Sequence, residues 1–274
     1  MPAASDCLDR ATHNNVGLLR VSLALLICVG HAAQLSGERA LEPVADALSS
    51  PYRVSAFFVL SGFLIFRSYE RSSSLASYAR RRVRRIYPMY AFVLRLCAAG
   101  WTAASRLPAG DYFSSAWMKH VAANLIFLGF LQPTLPGVFE GNVRPEINGA
   151  LWALKIEVMF YLVVPVFAAL FARAGRLPVV AAAYLSSIGY VAMMTMLASS
   201  RADGIYDELA RQLPGQIAYL MTGAGAYYYL PVVERHVRAI AVGGIAVLLL
   251  NPYLPLPILE PLALAAIVIV LAFF

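Results

Sequence analysis

Charge is what this sequence has least of. Of its 274 residues only 14% are Asp, Glu, Lys or Arg, against 60% hydrophobic, and the mean hydropathy is +0.68. Such a balance excludes a soluble globular domain. Cysteine is scarce as well: Cys7, Cys28 and Cys97 are odd in number, widely spaced, and two lie inside apolar runs, which excludes a disulfide framework and a zinc site. The four histidines, at 13, 31, 120 and 236, show no ligand spacing, so no metal is expected. The first sixteen residues are polar, and the first apolar run has no small-residue cleavage site and is followed by further runs, so it reads as a signal anchor. Neither an internal repeat nor a low-complexity linker is visible, so residues 1–274 read as one domain. The formal charge of +7 sits in short loops, where it sets membrane orientation, and implies no nucleic-acid partner.

What the sequence has in abundance is apolar helix. Nine runs qualify: 17–35, 54–68, 86–104, 118–131, 150–171, 177–199, 213–230, 237–251 and 257–274. The fourth and eighth are short for a crossing, so the expected fold is an all-α, polytopic transmembrane bundle of about seven to nine apolar helices. Seven arginines against one glutamate between Arg67 and Arg85 place that loop, and with it the N-terminus, on the cytoplasmic side. Arg173 and Arg176, and Arg235, His236 and Arg238, claim the same side. These assignments agree only if 118–131 does not cross, so this stretch is expected to be re-entrant, buried in protein or lining a cavity. The last run stops at Phe274 with no polar exit, which reads as a chain truncated at its C-terminus.

A few ionisable side chains break the apolar runs, and each needs a partner or a task. Arg20 and His31 are eleven residues apart, which on a helix is about 16 Å of rise and one shared face. They serve either as anchors at opposite interfaces or as groups facing protein. Glu157 lies six residues past Leu151, where a carboxylate must pair with Lys, Arg or His or carry a proton. Lys155 and Trp152 fit an interfacial belt. Ser61-Gly62 permits either close helix packing or a hydroxyl lining a cavity. Arg82 and Arg85 share a helix face and offer paired guanidinium forks, suited to anionic lipid or to a phosphorylated ligand.

Four segments, in order, resemble the acyltransferase-3 family of integral membrane O-acyltransferases. They are Asn14-Asn15 with Arg20 and His31; Phe57-Phe58-Val59-Leu60-Ser61-Gly62-Phe63; Arg82-x-x-Arg85-Ile86-Tyr87-Pro88; and Asn148-Gly149-Ala150-Leu151-Trp152-Ala153-Leu154-Lys155-x-Glu157. The chain departs from the family pattern at Gly17, often acidic there, at the Arg53-Val54-Ser55 lead-in, and in lacking the last of about ten spans. The resemblance implies transfer of an acyl group, in the first instance acetyl, from cytosolic acyl-CoA to a hydroxyl of a carbohydrate, lipid or metabolite, in a multi-pass protein of the cytoplasmic membrane. No permanently bound cofactor is implied. It makes His31 the general base, imidazole being the group whose ordinary titration lies near neutral pH. Arg82 and Arg85 would hold the CoA phosphates, Arg20 would steer CoA or pair with a carboxylate, and Glu157 would orient His31 or pair with Arg20. Ser61, Asn148 and Trp152 would line the substrate path, and direct transfer and an acyl-enzyme are both open. The competing readings are a transporter or flippase that uses Arg20, His31 and Glu157 as a relay, and an inactive truncated relative.

Overall fold

The computed structural model describes residues 15–48, 52–142, 145–147, 149, 151–200 and 204–274, and among them all regular structure is helical. In chain order the α-helices are α1 (Val16–Ser36), α2 (Glu42–Ala47), α3 (Tyr52–Glu70), α4 (Leu75–Gly100), α5 (Ala109–Tyr112), α6 (Ser115–Leu125) and α7 (Leu151–Ala174). They continue as α8 (Arg176–Ala198), α9 (Ile205–Ala210), α10 (Leu213–Tyr228), α11 (Leu230–Arg235), α12 (Val237–Leu250) and α13 (Glu260–Phe273). The chain divides into two compact units, residues 1–71 with 162–274, and residues 72–161.

The first unit is built on α3. Val59, Leu60 and Phe63 are almost fully buried with Leu264, Ala265, Val268, Ile269 and Ala272 of α13 and Val16 of α1. The Phe63 ring centroid stands 4.3 Å from that of Phe273 and 5.4 Å from that of Tyr227. Against α10 the helix uses small residues: Gly62 abuts the Leu220 carbonyl, and Gly223 abuts the Val59 carbonyl in return. Helix association inside lipid depends on such close approach, because apolar side chains gain little there by leaving the bilayer. Gly62 therefore packs, Ser61 beside it is buried, and α3 runs unbroken through the pair. A β-carbon at either glycine overlaps the facing carbonyl oxygen. Gly62→Ala and Gly223→Ala are each expected to cost about 1–3 kcal/mol, read as a fall in the melting temperature of the purified protein. Gly225→Ala, whose nearest new neighbour is Val180 Cγ1 at 3.9 Å, serves as the control. Equal losses in all three variants would contradict this packing.

Helix α1 ends where Gly37 takes φ +67°, a left-handed cap that glycine enters without strain, while the Ser36 hydroxyl donates to the Ala33 carbonyl at 2.8 Å. Leu18, Val21, Leu25 and Val29 are exposed along α1 at helical spacing, a stripe that suits hydrocarbon. By length and composition four stretches can cross a membrane: α1, residues 39–70, α7 and α8. The sequence count of seven to nine is larger because α10, α12 and α13 are apolar but only 16, 14 and 14 residues long, and about 20 span the hydrocarbon core. The run 86–104 is absorbed into α4, whose first half carries the arginines.

In the second unit, Ser74 caps α4 by accepting from the Ser77 N–H at 3.1 Å. The 118–131 run is not one helix: α6 stops at Leu125, Phe127 turns back with φ +61°, and a 3-10 turn covers Gly129–Leu131. This reversal is locked from inside. The Tyr90 hydroxyl donates to the Asn124 carbonyl at 2.6 Å, and its ring stacks on Phe127 at 4.6 Å. The Asn124 amide donates to the His120 carbonyl at 2.9 Å, and Gly129 leaves the room that Asn124 Oδ1 occupies.

His120, only 3% exposed, faces the Gln132 carbonyl through Nδ1 at 2.8 Å, which makes Nδ1 the protonated nitrogen. Burial holds this imidazole below its ordinary range, although the carbonyls of Gln132 and Thr134 pull the other way. The native state thus prefers neutral His120, so its contribution is complete above about 6.5, the unfolded value, and is lost as pH falls below it. The melting temperature is expected to drop as pH is lowered through about 6.5, and His120→Gln to flatten that drop. An unchanged slope in the variant would refute the assignment.

Candidate functional site

The strongest constellation grows from two i,i+4 pairs in the second unit. On α4, Tyr78 precedes Arg82 by one turn; on α7, Tyr161 follows Glu157 by one turn. The Tyr78 hydroxyl donates to the Tyr161 carbonyl oxygen at 3.1 Å and ties the two helices together. Arg82 lies between the two rings, its Cζ 5.8 Å from the Tyr78 centroid and 5.3 Å from that of Tyr161. Each contact is within cation–π range. The Tyr161 hydroxyl donates to Glu157 Oε1 at 2.7 Å, giving the carboxylate a neutral donor within its own helix. Ile156 and Phe160, fully buried, fix the rotation of α7 that turns Glu157 to this place.

Arg82 and Arg85 diverge in surroundings: Arg82 is half-buried on its tyrosines, whereas Arg85, one turn on, is exposed. Arg81 turns away and donates to the Ser72 hydroxyl. Lys155 Nζ sits 4.8 Å from the Phe130 centroid, so an ammonium caps the exposed ring at the tip of the 127–131 reversal. Trp152 is half-buried at the start of α7. Asn148 lies outside the described residues, as does the tail 1–14 with His13 and Asn14.

In the first unit, Arg20 and His31 are carried by one uninterrupted helix, so the shared face expected from their spacing is present. The Arg20 guanidinium stands 5.9 Å from the Phe57 centroid and is half-buried; His31 is exposed. Ser61 is buried in α3 at 4% exposure. Next to His31, Gly30 lets α1 approach Leu48 and Arg53: a β-carbon there would meet Leu48 Cβ at 3.0 Å and Arg53 Nη1 at 3.1 Å. Arg53 Nη1 donates to the Leu26 carbonyl at 3.4 Å. These contacts bring the N-terminal end of α3 to the His31 end of α1.

Sequence reasoning missed Tyr78 and Tyr161. The signal was available, since each stands four residues from a charged group already singled out, the spacing at which helix side chains meet.

Comparisons with known proteins point one way. A family model for an acyltransferase domain matches residues 13–274. Nodulation protein 10 of Rhizobium leguminosarum bv. viciae is 32% identical over 182 residues, covering 62% of this chain and 49% of the relative. An O-acetyl transferase of Shigella phage Sf6 is 28% identical over 165 residues, 58% of this chain and 44% of the relative. Acyltransferase MdmB of Streptomyces mycarofaciens is 32% identical over 42% of this chain and 27% of the relative. The chain thus matches half or less of the length of each of these relatives, and no solved structure matches it. With one family model running from residue 13 to residue 274 across both units, the chain belongs to the acyltransferase-3 family.

Proposed function

We propose that this chain is a membrane-bound O-acyltransferase. It moves an acyl group, acetyl in the first instance, from acyl-CoA on the cytoplasmic side to a hydroxyl of an extracytoplasmic or membrane-associated carbohydrate, lipid or metabolite. The observation that carries the reading is the half-buried Arg82 held on two tyrosine rings, with Tyr161 donating to Glu157, in a chain of this family. A guanidinium fixed by packing has already lost the rotamer freedom that a flexible arginine gives up on binding, and its planar fork suits phosphate oxygens. Arg82, with Arg85 beside it, takes the CoA phosphates in this account.

The acceptor oxygen attacks the thioester carbon, the C–S bond breaks, an ester C–O bond forms, and CoA leaves as the thiol. His31 accepts the hydroxyl proton and returns it to the departing sulfur. Glu157 supports the donor half through Tyr161, and Arg20 steers the donor along α1. The arginine-rich loops support a place in the cytoplasmic membrane with the N-terminus inside.

Doubly labelled acetyl-CoA tests this reading. With carbon label on acetyl and tritium on CoA, carbon enters a product that alkaline hydroxylamine releases, and tritium stays in solution as free CoA in equal amount. Carbon label that crosses the membrane without covalent capture, or moves equally well from free acetate, would overturn the reading in favour of transport.

A further inference from the structure

Where α3 begins, at the end of the first unit that carries His31, the polar groups are of two kinds. Those around Glu260 satisfy one another: the Asn251 amide donates to the Tyr52 hydroxyl at 2.9 Å and to Glu260 Oε2 at 3.3 Å, and the Tyr219 hydroxyl donates to Glu260 Oε1 at 2.8 Å. This cluster is a joint between helices. Arg53, the next residue along α3 from Tyr52, is of the other kind. Half-buried, it donates from Nη1 a long bond of 3.4 Å to the Leu26 carbonyl, which already accepts within the helix ladder of α1. Its Nε is enclosed and has no partner among the described residues.

A charged N–H enclosed without an acceptor costs free energy, and an apolar side chain of similar volume would wedge α3 against α1 without that cost. What the guanidinium brings is its position. It lies against Gly30 of α1, where a β-carbon would stand 3.1 Å from Arg53 Nη1, and the next residue is His31. Adjacent α-carbons are about 3.8 Å apart, so Nη1 lies within about 8.5 Å of the His31 α-carbon. Arg20, by contrast, is about 16 Å from His31 by helix rise.

In the proposed reaction, addition of the acceptor oxygen moves the π electrons of the thioester carbonyl onto its oxygen, and an oxyanion develops beside the base. A long bond at Nη1 and an unpartnered Nε do little to hold the guanidinium fork against turning to that stronger, charged acceptor. We infer that Arg53 is a catalytic residue whose guanidinium donates to the thioester carbonyl oxygen as the tetrahedral intermediate forms. The carbonyl re-forms as the C–S bond breaks, and the sulfur takes the proton held by His31, so Arg53 neither gains nor loses one. The assignment rests on the proposed function. It belongs to this chain in particular, because Arg53 stands where the chain departs from the family pattern.

The test is acetyl transfer from acetyl-CoA by membranes bearing the whole chain, read as label that alkaline hydroxylamine releases. Arg53→Met, which fills the same space without the unpartnered donor, is expected to lower the maximal rate by about 10²- to 10³-fold, the loss that follows removal of one oxyanion donor. The acetyl-CoA KM stays within about threefold, and the melting temperature is unchanged or raised. A residue that served only to pack the helices would give the opposite pattern, a lower melting temperature with the rate preserved. In Arg53→Ala, guanidinium ion added below denaturing concentration is expected to return about tenfold or more of the lost rate, and to return none in His31→Ala. Full activity in Arg53→Met, or a folded Arg53→Ala that guanidinium does not rescue, overturns the assignment and leaves acyl transfer standing. A wild-type chain that moves no acetyl group overturns both.

Discussion

Replacing His31, the proposed general base, with alanine is expected to lower acyl transfer by about 10²- to 10⁴-fold, the range that a positioned base supplies. The variant is a clean one. His31 is exposed, and the buried positions of α1 are Val16, Gly30 and Ala33, so losing the imidazole leaves the packing of the first unit alone and the melting temperature within a few degrees. The acetyl-CoA KM is expected to stay within about threefold, because the proton moves in the chemical step and not in donor binding. A large rise in KM with kcat preserved would instead make His31 a binding residue.

The second large effect falls on the donor. Hydrogen bonds to charged groups are each worth about 1.5–3 kcal/mol, so Arg82→Ala is expected to raise the acetyl-CoA KM by roughly 10- to 150-fold. Arg82→Lys should recover only part of this, since an ammonium keeps the charge but loses the planar fork and its stacking between Tyr78 and Tyr161. Arg85→Ala, at an exposed position one turn away, should cost severalfold at most. Tyr161→Phe separates packing from hydrogen bonding. It keeps the ring under Arg82 and deletes the donor to Glu157, so it should raise the donor KM by less than Arg82→Ala does and leave kcat nearly unchanged. Equal losses for Arg82→Ala and Arg85→Ala would mean that the tyrosine cradle contributes nothing, and that only the local positive field matters.

These residues differ in how readily the sequence reveals them. Arg20 and His31 stand out because a charge inside an apolar run is costly, and the helix period alone places them on one face. Gly62 belongs to the same class, since a small pair inside a span implies a close neighbour, which Gly223 provides. Tyr78 and Tyr161 were within reach through their i,i+4 partners but were hidden by composition, in a chain with fifteen tyrosines. The Tyr52–Asn251 bond joins residues 199 apart in sequence, and Glu260 looks like an ordinary acidic residue in the first turn of a helix, so neither spacing nor periodicity could unite them. The division into two units was equally hidden, because its first boundary is only the short polar turn Arg71-Ser72-Ser73-Ser74 and its second falls inside α7. Span counting differs for a related reason: hydropathy registers apolar content, whereas the four long stretches are chosen by length as well, and α10, α12 and α13 are apolar but 16, 14 and 14 residues long.

The central claim, a proposal, is that this chain carries an acyl group from CoA to a hydroxyl, with His31 as the base and Arg82 in the donor clamp. Transfer of radiolabelled acetyl groups from acetyl-CoA by membranes bearing the wild-type chain, the His31→Ala variant and the Arg82→Ala/Arg85→Ala variant at matched expression tests it most directly. The account predicts label in a lipid or glycan fraction for the wild type, almost none for His31→Ala at any donor concentration, and partial return for the double variant when acetyl-CoA is raised about 100-fold. Wild-type label that persists unchanged in His31→Ala membranes would contradict it.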